Sequence, residues 1–319
     1  MKKRGLIALA AIVAATPISA QEVLSVSGRS VALYNLAGQV EIVPGNGSDV
    51  VVRVRRGGSD GDRLSIESGE IRGRETVRII YPSDEVVYPE MGRRSNTSRN
   101  VRDDGTFSDG GRRGGDRVCV RGSARGLEAW ADLVIEVPRG QEAHLYLVVG
   151  TVQARNVDGD IEIHTGIGAV SAEDMSGSLS IDTGSGAVEV MGMDGDLSVD
   201  TGSGSIEVVD VVGPEVDLDT GSGRVIGDRI EARTPGVDTG SGSVRLERIR
   251  SSDVVIATGS GSVDVELLTD VESLEVDTGS GAVRPRCLAR DRYGQRRNRC
   301  RVSGRGPIRA PRQHARPHR

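Results

Sequence analysis

The chain has 319 residues, 36% of them hydrophobic but only 2% aromatic, with 44 glycines, 41 basic and 46 acidic residues and a formal net charge of −5 at pH 7. So few rings argue against sugar-stacking platforms and single-strand nucleic-acid grooves, which are built from aromatic side chains. The charge is segregated along the chain rather than evenly mixed.

Residues 1–20 combine a basic start (Lys2, Lys3, Arg4), an apolar run from Leu6 to Ala15 and a small-residue finish at Ile18-Ser19-Ala20. This pattern predicts a secretory signal peptide, a mature N-terminus at Gln21 and an extracytoplasmic location. The apolar run is shorter than the ~20 residues a spanning helix needs and no other segment approaches that length, so no membrane span is expected. No cysteine follows the cleavage site, which argues against a lipid anchor.

Residues 21–145 read as an N-terminal β region with degenerate coils. Val31 to Ile42 aligns without a gap on Leu179 to Val190, one unit of a repeat that fills residues 146–283. Leu33 then falls on Ile181, Asn35 on Thr183, Gly38 on Gly186 and Val40 on Val188, so this stretch is expected to be a first coil. Alternation predicts further strands at 50–54, 64–66, 76–80 and 133–137. Tyr88 to Arg117 is dense in Gly, Arg, Ser and Asp, with Phe107 as its one phenylalanine. It reads as a disordered insertion, with a functional loop as the alternative.

The repeat itself is Thr-Gly-Ser-Gly, starting at Thr183, Thr201, Thr220, Thr239, Thr258 and Thr278, with the variant Thr-Gly-Ile-Gly at Thr165. The intervals of 18 to 20 residues are too short for helical repeats and suit one coil of a parallel β-solenoid. In Leu179 to Val190, apolar and polar residues alternate on both sides of the turn, giving two short strands with one buried face. Leu147 to Val152 aligns on Thr165 to Val170 at the same offset, which makes about eight coils and a rod of roughly 38 Å at ~4.8 Å per coil. The turn glycines Gly184, Gly186, Gly202, Gly204, Gly221, Gly223, Gly240, Gly242, Gly259, Gly261, Gly279 and Gly281 are expected to supply positive φ and close backbone approach. The threonines fall in phase with the buried positions, and their hydroxyls are expected to form a ladder that satisfies buried polar groups.

Residues 146–283 hold 26 acidic and 7 basic residues, whereas 284–319 hold 13 arginines and one acid. An acidic rod thus carries an Arg-rich C-terminal tail, expected to be disordered. It solvates itself, lies on its own rod, or binds an anionic envelope polymer. The only lysines are Lys2 and Lys3, a skew that fits a GC-rich genome better than a dedicated polyanion site. Cys287 and Cys300 lie just past the last coil and are the favoured disulfide pair, against Cys119 with either partner or no bridge.

Two chemical readings of the repeat are weighed. Asp-Thr-Gly-Ser at Asp182, Asp200, Asp219, Asp238 and Asp277 is similar to the catalytic signature of aspartic proteases. Those enzymes need two carboxylates facing each other, whereas these form a column with the coil period. The same column is a candidate cation ladder for Ca²⁺, but the calcium motif Gly-Gly-x-Gly-x-Asp is absent and Ala257 interrupts it. A solvated acidic edge that deters aggregation is preferred. His144, His164, His314 and His318 sit in no recognisable catalytic or metal motif; His164 takes the Asp182 position of its coil. No cofactor is expected.

Ala131-Asp-Leu-Val-Ile-Glu-Val-Pro-Arg-Gly140, Leu147-Val-Val-Gly-Thr-Val152 and Asp158-Gly-Asp-Ile-Glu-Ile-His-Thr-Gly-Ile-Gly-Ala-Val170 closely resemble the bacterial β-strand-repeat proteins grouped as DUF4097, as does the segment Ser30 to Ile42. The resemblance implies a right-handed parallel β-helix-like fold, an envelope setting and an adhesin role that is itself an inferred label. It supplies no catalytic residues. The leading expectation is a non-enzymatic secreted or envelope protein whose rod displays a lateral face to a protein or glycan. The alternatives are a structural protein that polymerises end to end, as bactofilins do, and a β-helix enzyme acting on acidic polysaccharide.

Overall fold

The structure is a computed structural model that describes residues 21–110, 114–268, 273–287 and 302–303. The expected signal peptide, Cys300 and most of the Arg-rich tail lie outside the described residues.

The chain folds as the expected all-β parallel solenoid. Val170–Ser185, Val188–Ser203, Ile206–Ser222 and Val225–Ser241 are each nearly a whole coil, and each pairs in parallel with the next. Later coils break into two strands, Val244–Ile249 with Asp253–Ser260 and Val263–Leu267 with Ser273–Ser280. Register turns the alternation of the sequence into columns. Val40, Val152, Val170, Val188, Ile206, Val225, Val244, Val263 and Val283 stand in one buried row. Leu33, Leu145, Ile163, Ile181, Val199, Leu218, Val237, Ile256 and Val276 form another. No coil can bury its apolar face alone, so each side chain in these rows is covered by the coils on either side.

The first coil is the one the alignment predicts. Ser30–Ala37 and Val40–Pro44 stack in parallel on Gln141–Val149 and Val152–Arg155, with Leu33 on Leu145 and Val40 on Val152. Beyond it the parallel order continues for a single layer. Arg74–Ile80 and Trp130–Val137 add one more parallel layer, and antiparallel strands then close the rod. Val50–Gly57 runs antiparallel to Trp130–Val137, Glu22–Val26 antiparallel to Val50–Gly57, and Ser65–Ile71 antiparallel to Arg74–Ile80.

The turn glycines are selected by close stacking more than by backbone handedness. Of those in the Thr-Gly-Ser-Gly phrases, only Gly186 has φ in the positive window, at +156°, the extended edge of it. A Cβ on Gly223 would lie 1.8 Å from the carbonyl oxygen of Gly204 one coil below, a contact no side chain can make. The first glycine of each phrase is less constrained; a Cβ on Gly221 would lie 2.6 Å from the Gly202 oxygen. The left-handed corner falls elsewhere in the coil, at Asn156, Asp174, Gly192, Asp210, Arg229 and Arg248, with φ between +52° and +74°. Asn, Asp and Gly tolerate that region best. Arg229 is held there by contacts to Asp210 and Asp228, the Nη2 to Asp210 Oδ2 distance being 2.5 Å.

Two expectations are corrected. Tyr88 to Arg117 is not a disordered insertion: its described residues include Asn96–Val101 and the start of Asp116–Arg121, which pair antiparallel. With Glu85–Val87 and Leu127–Glu128 they make a separate four-stranded sheet. Val86, Tyr88, Phe107, Val118 and Val120 bury a second core against Ala32, Tyr34, Leu36, Tyr146 and Val148 on the outer face of the first coils. The stack also does not end at Val283. Val283–Cys287 continues it on Val263–Leu267, and Val302–Ser303 pairs with Leu274 and Glu275. Open strand edges present unpaired backbone groups, and even two residues of the tail pair some of them.

Candidate functional site

The polar outer face carries the repeat's exposed chemistry. Strand register places Tyr34, Tyr146, His164, Asp182, Asp200, Asp219, Asp238, Ala257 and Asp277 in one column along the rod. The column is aromatic under the small sheet and acidic beyond it. Asp182, Asp200, Asp219, Asp238 and Asp277 are exposed, as the alternation requires. Partial burial and then the charges of Asp200 and Asp238 push the Asp219 carboxyl above its ordinary value. Among the described residues, no group of three or more His, Cys, Asp or Glu side chains is arranged to hold a metal ion.

The aromatic end is built from residues more than a hundred positions apart. The Tyr34 and Tyr146 rings stack at 4.8 Å and 11°, and Tyr146 stacks on the His164 imidazole at 4.9 Å and 2°. Phe107, from the small sheet's loop, meets Tyr34 edge-on at 5.6 Å. Offset and edge-on contacts of this kind contribute about 0.5–1.5 kcal/mol each beyond burial. Tyr34 donates a hydrogen bond to Asp109, 3.0 Å away, and Arg72 and Arg102 close on the same carboxylate. Burial first, and then neighbouring carboxylates, push the Tyr34 and Tyr146 hydroxyls above their ordinary value.

Beside this stack lies a histidine–carboxylate row. His144 Nε2 is 2.5 Å from Glu142 Oε1, while its Nδ1 approaches Glu162 to 2.5 Å without hydrogen-bond alignment. His164 contacts Glu162 through Nε2 and approaches Asp182 through Nδ1 at 3.3 Å. Burial alone would raise the Glu162 carboxyl, but its hydrogen bond from His164 and the charges of both imidazoles hold it below the usual carboxylate range. His164 thus takes the Asp182 position, as the sequence indicates, but as the last ring of a stack rather than a solitary surface side chain.

The threonine column is buried as its phase predicts, Thr183, Thr201, Thr220 and Thr239 at 0% exposure. Its hydroxyls do not satisfy one another. Thr220 and Thr258 donate to the carbonyls of Gly204 and Gly242 at 3.2 and 3.4 Å, while the hydroxyls of Thr165, Thr183, Thr201, Thr239 and Thr278 have no partner. Cys119 is a half-buried free thiol, and the Cys287–Cys300 pairing lies outside the described residues.

A chain of stacked 18–20-residue β coils with a repeated Gly turn and an antiparallel cap defines a β-solenoid repeat protein. Residues 131–288 match the family described as Toastrack DUF4097. Among solved structures, it is similar to a protein given as a putative adhesin from Parabacteroides merdae ATCC 43184. The two share 10% identity over 92% of this chain and 96% of that one, with a TM-score of 0.43. No curated protein matches. No helix among the described residues is long and apolar enough to cross a membrane.

Proposed function

We propose that this protein is a non-enzymatic, secreted or envelope-associated rod whose outer face engages a surface ligand, as an adhesin or scaffold. The observation that carries this reading is the uncovered face itself. From Asp182 to Asp277 the coils present the same polar row in strict register, interrupted only at Ala257. A repeated flat face suits extended contact and lacks the asymmetric convergence of nucleophile, base and oxyanion donors that catalysis needs. The antiparallel strands that close the N-terminal end weigh against end-to-end polymerisation, since a parallel coil has no matching edge there. Export follows from the pattern of residues 1–20.

Two measurements test this reading. N-terminal sequencing of protein recovered outside the cytoplasm is expected to begin at Gln21; a cytoplasmic chain that keeps Met1 contradicts it. Beads coated with the exported protein are expected to adhere to cell surfaces more than beads coated with a carrier protein. Equal adhesion argues for a purely internal structural role.

A further inference from the structure

Where the small sheet ends, a cleft of about 360 Å³ opens between it and the rod. Arg99, Phe107 and Ser108 line it from the sheet side, and Leu147, His164 and Asp182 from the rod side. We propose that this cleft is a binding subsite for one hexose-sized unit of a neutral glycan. The inference rests on the adhesive reading of the rod, for which it names the ligand class.

The donors and acceptors of the cleft carry the argument. Arg99 stands on the edge strand Asn96–Val101, is exposed, and has no acidic partner among the described residues. Its guanidinium nonetheless reaches the rod: a Cβ on Gly166 would come within 3.2 Å of Nη2. Across from it the Asp182 side chain is 60% exposed, and its one polar side-chain contact among the described residues is with His164 Nδ1 at 3.3 Å. A five-donor fork and a carboxylate therefore face the same small volume without bonding to each other. An isolated anion in the cleft would meet Asp182, and an isolated cation would meet Arg99. A polyol meets both requirements, because each hydroxyl can donate to the carboxylate and accept from the guanidinium.

The rest of the cleft fits that chemistry. Ser108 presents a further hydroxyl from a backbone held at φ +58°, a conformation that costs a non-glycine residue energy and that clusters at binding sites. Phe107 and Leu147 are each only 2% exposed and form the floor of the cleft, so its polar groups rather than ring stacking carry recognition. His164 is fixed by Tyr146 on one side and by Glu162 and Asp182 at its nitrogens, so it is a positioning residue that aims the Asp182 carboxylate. The volume is at the small end of ligand pockets, about 300–1,000 Å³, and admits one or two pyranose rings. Ser198 and Asp200, the register partners of Ser180 and Asp182 on the next coil, are exposed, so further units of a chain have polar partners beyond the cleft.

The test probes the purified exported protein against an array of neutral hexose, N-acetylhexosamine and hexuronic acid oligosaccharides, then titrates the best neutral probe by calorimetry. Arg99→Ala and Asp182→Ala are each expected to weaken binding at least tenfold, while Asp277→Ala, in the same column at the far end, stays within twofold. Both substituted side chains are exposed, so the circular dichroism spectrum is expected to match the parent. No binding of any neutral glycan overturns the proposal, as does binding that Arg99→Ala and Asp182→Ala leave unchanged or that Asp277→Ala weakens equally. Glycan binding by a protein whose beads adhere to no cell surface sustains the subsite and overturns the adhesive reading. Bead adhesion that survives both substitutions, with glycan binding also unchanged, overturns the subsite alone.

Discussion

The coils between Val170 and Ser241 and the small sheet between Glu85 and Glu128 are both β structure, yet they are held in opposite ways. In the coils most buried positions recur 18 or 19 residues later as another apolar residue, and each layer is stabilised by a similar neighbour. The small sheet has four unlike strands and no repeat, and it is fixed by a few apolar residues pressed on Tyr34 and Tyr146. Repetition spreads stability evenly along the rod, whereas the sheet depends on single anchors. The rod's aromatic rings and its candidate ligand cleft both lie at the join between the two.

The largest contrast is expected at the stacked turn. Gly223→Ala places a methyl carbon on the Gly204 carbonyl and forces two coils apart, so we expect a loss of at least about 3 kcal/mol or failure to fold. Gly221→Ala, with more room, is expected to cost clearly less. Chemical denaturation of the pair measures this, and equal losses contradict the stacking account. In the small sheet, Phe107→Ala removes a 2%-exposed ring and is expected to cost about 3 kcal/mol locally. Hydrogen exchange should then rise over residues 85–128 while the coils stay protected; a uniform rise along the whole chain shows that sheet and rod unfold as one unit.

A smaller effect is expected from charge. Because the folded-state pKa of Asp219 is raised, ionisation of this carboxylate opposes folding: its contribution is most favourable below the unfolded pKa and is lost as pH rises through the folded one. Asp219→Asn is therefore expected to raise the melting midpoint at pH 7 and to lose that advantage below about pH 4, the ordinary carboxylate range. Glu162 behaves in the opposite sense. Its lowered pKa contributes stability above the ordinary carboxylate range that is lost as pH falls through the folded value, so Glu162→Gln is expected to lower the midpoint at pH 7 and to matter less in acid. The smallest difference is within the threonine column. Thr201→Val replaces an unpartnered buried hydroxyl with a methyl group and is expected to be neutral or slightly stabilising. Thr220→Val forfeits a hydrogen bond to Gly204 and is expected to cost about 1 kcal/mol.

Most of the rod is legible in the sequence because period-two alternation and an 18–20-residue phrase fix both the buried face and the register. Even the degenerate first coil is readable, since Leu33 and Val40 keep their phase after the Thr-Gly-Ser-Gly signature has faded. The left-handed corner is not readable, because Asn156, Asp174, Gly192, Asp210, Arg229 and Arg248 share a backbone angle but no side-chain type. The small sheet is hidden for a related reason. Its polar composition suggests disorder, and its few apolar anchors acquire a partner only when Tyr34 and Tyr146, 112 residues apart in the sequence, are brought into stacking contact. The candidate cleft is concealed the same way: His164 and Asp182 are visible as column positions, but nothing in the repeat announces Arg99 opposite them.

The account's central claim is that one register runs unbroken from the degenerate first coil into the regular rod, and a crosslink tests it most directly. Glu41 and Gln153 are exposed register partners across the Val40–Pro44 and Val152–Arg155 strands. Parallel partners stand ~4.8 Å apart, within the ~4.4–6.8 Å Cα range of a disulfide. In a background with Cys119, Cys287 and Cys300 replaced by serine, Glu41→Cys with Gln153→Cys is expected to oxidise to a single intrachain disulfide, read by mass spectrometry of the peptides. Glu41→Cys with Arg155→Cys, two residues out of register, is expected to remain reduced. Crosslinking of the second pair in place of the first, or of neither, contradicts the continuous stack.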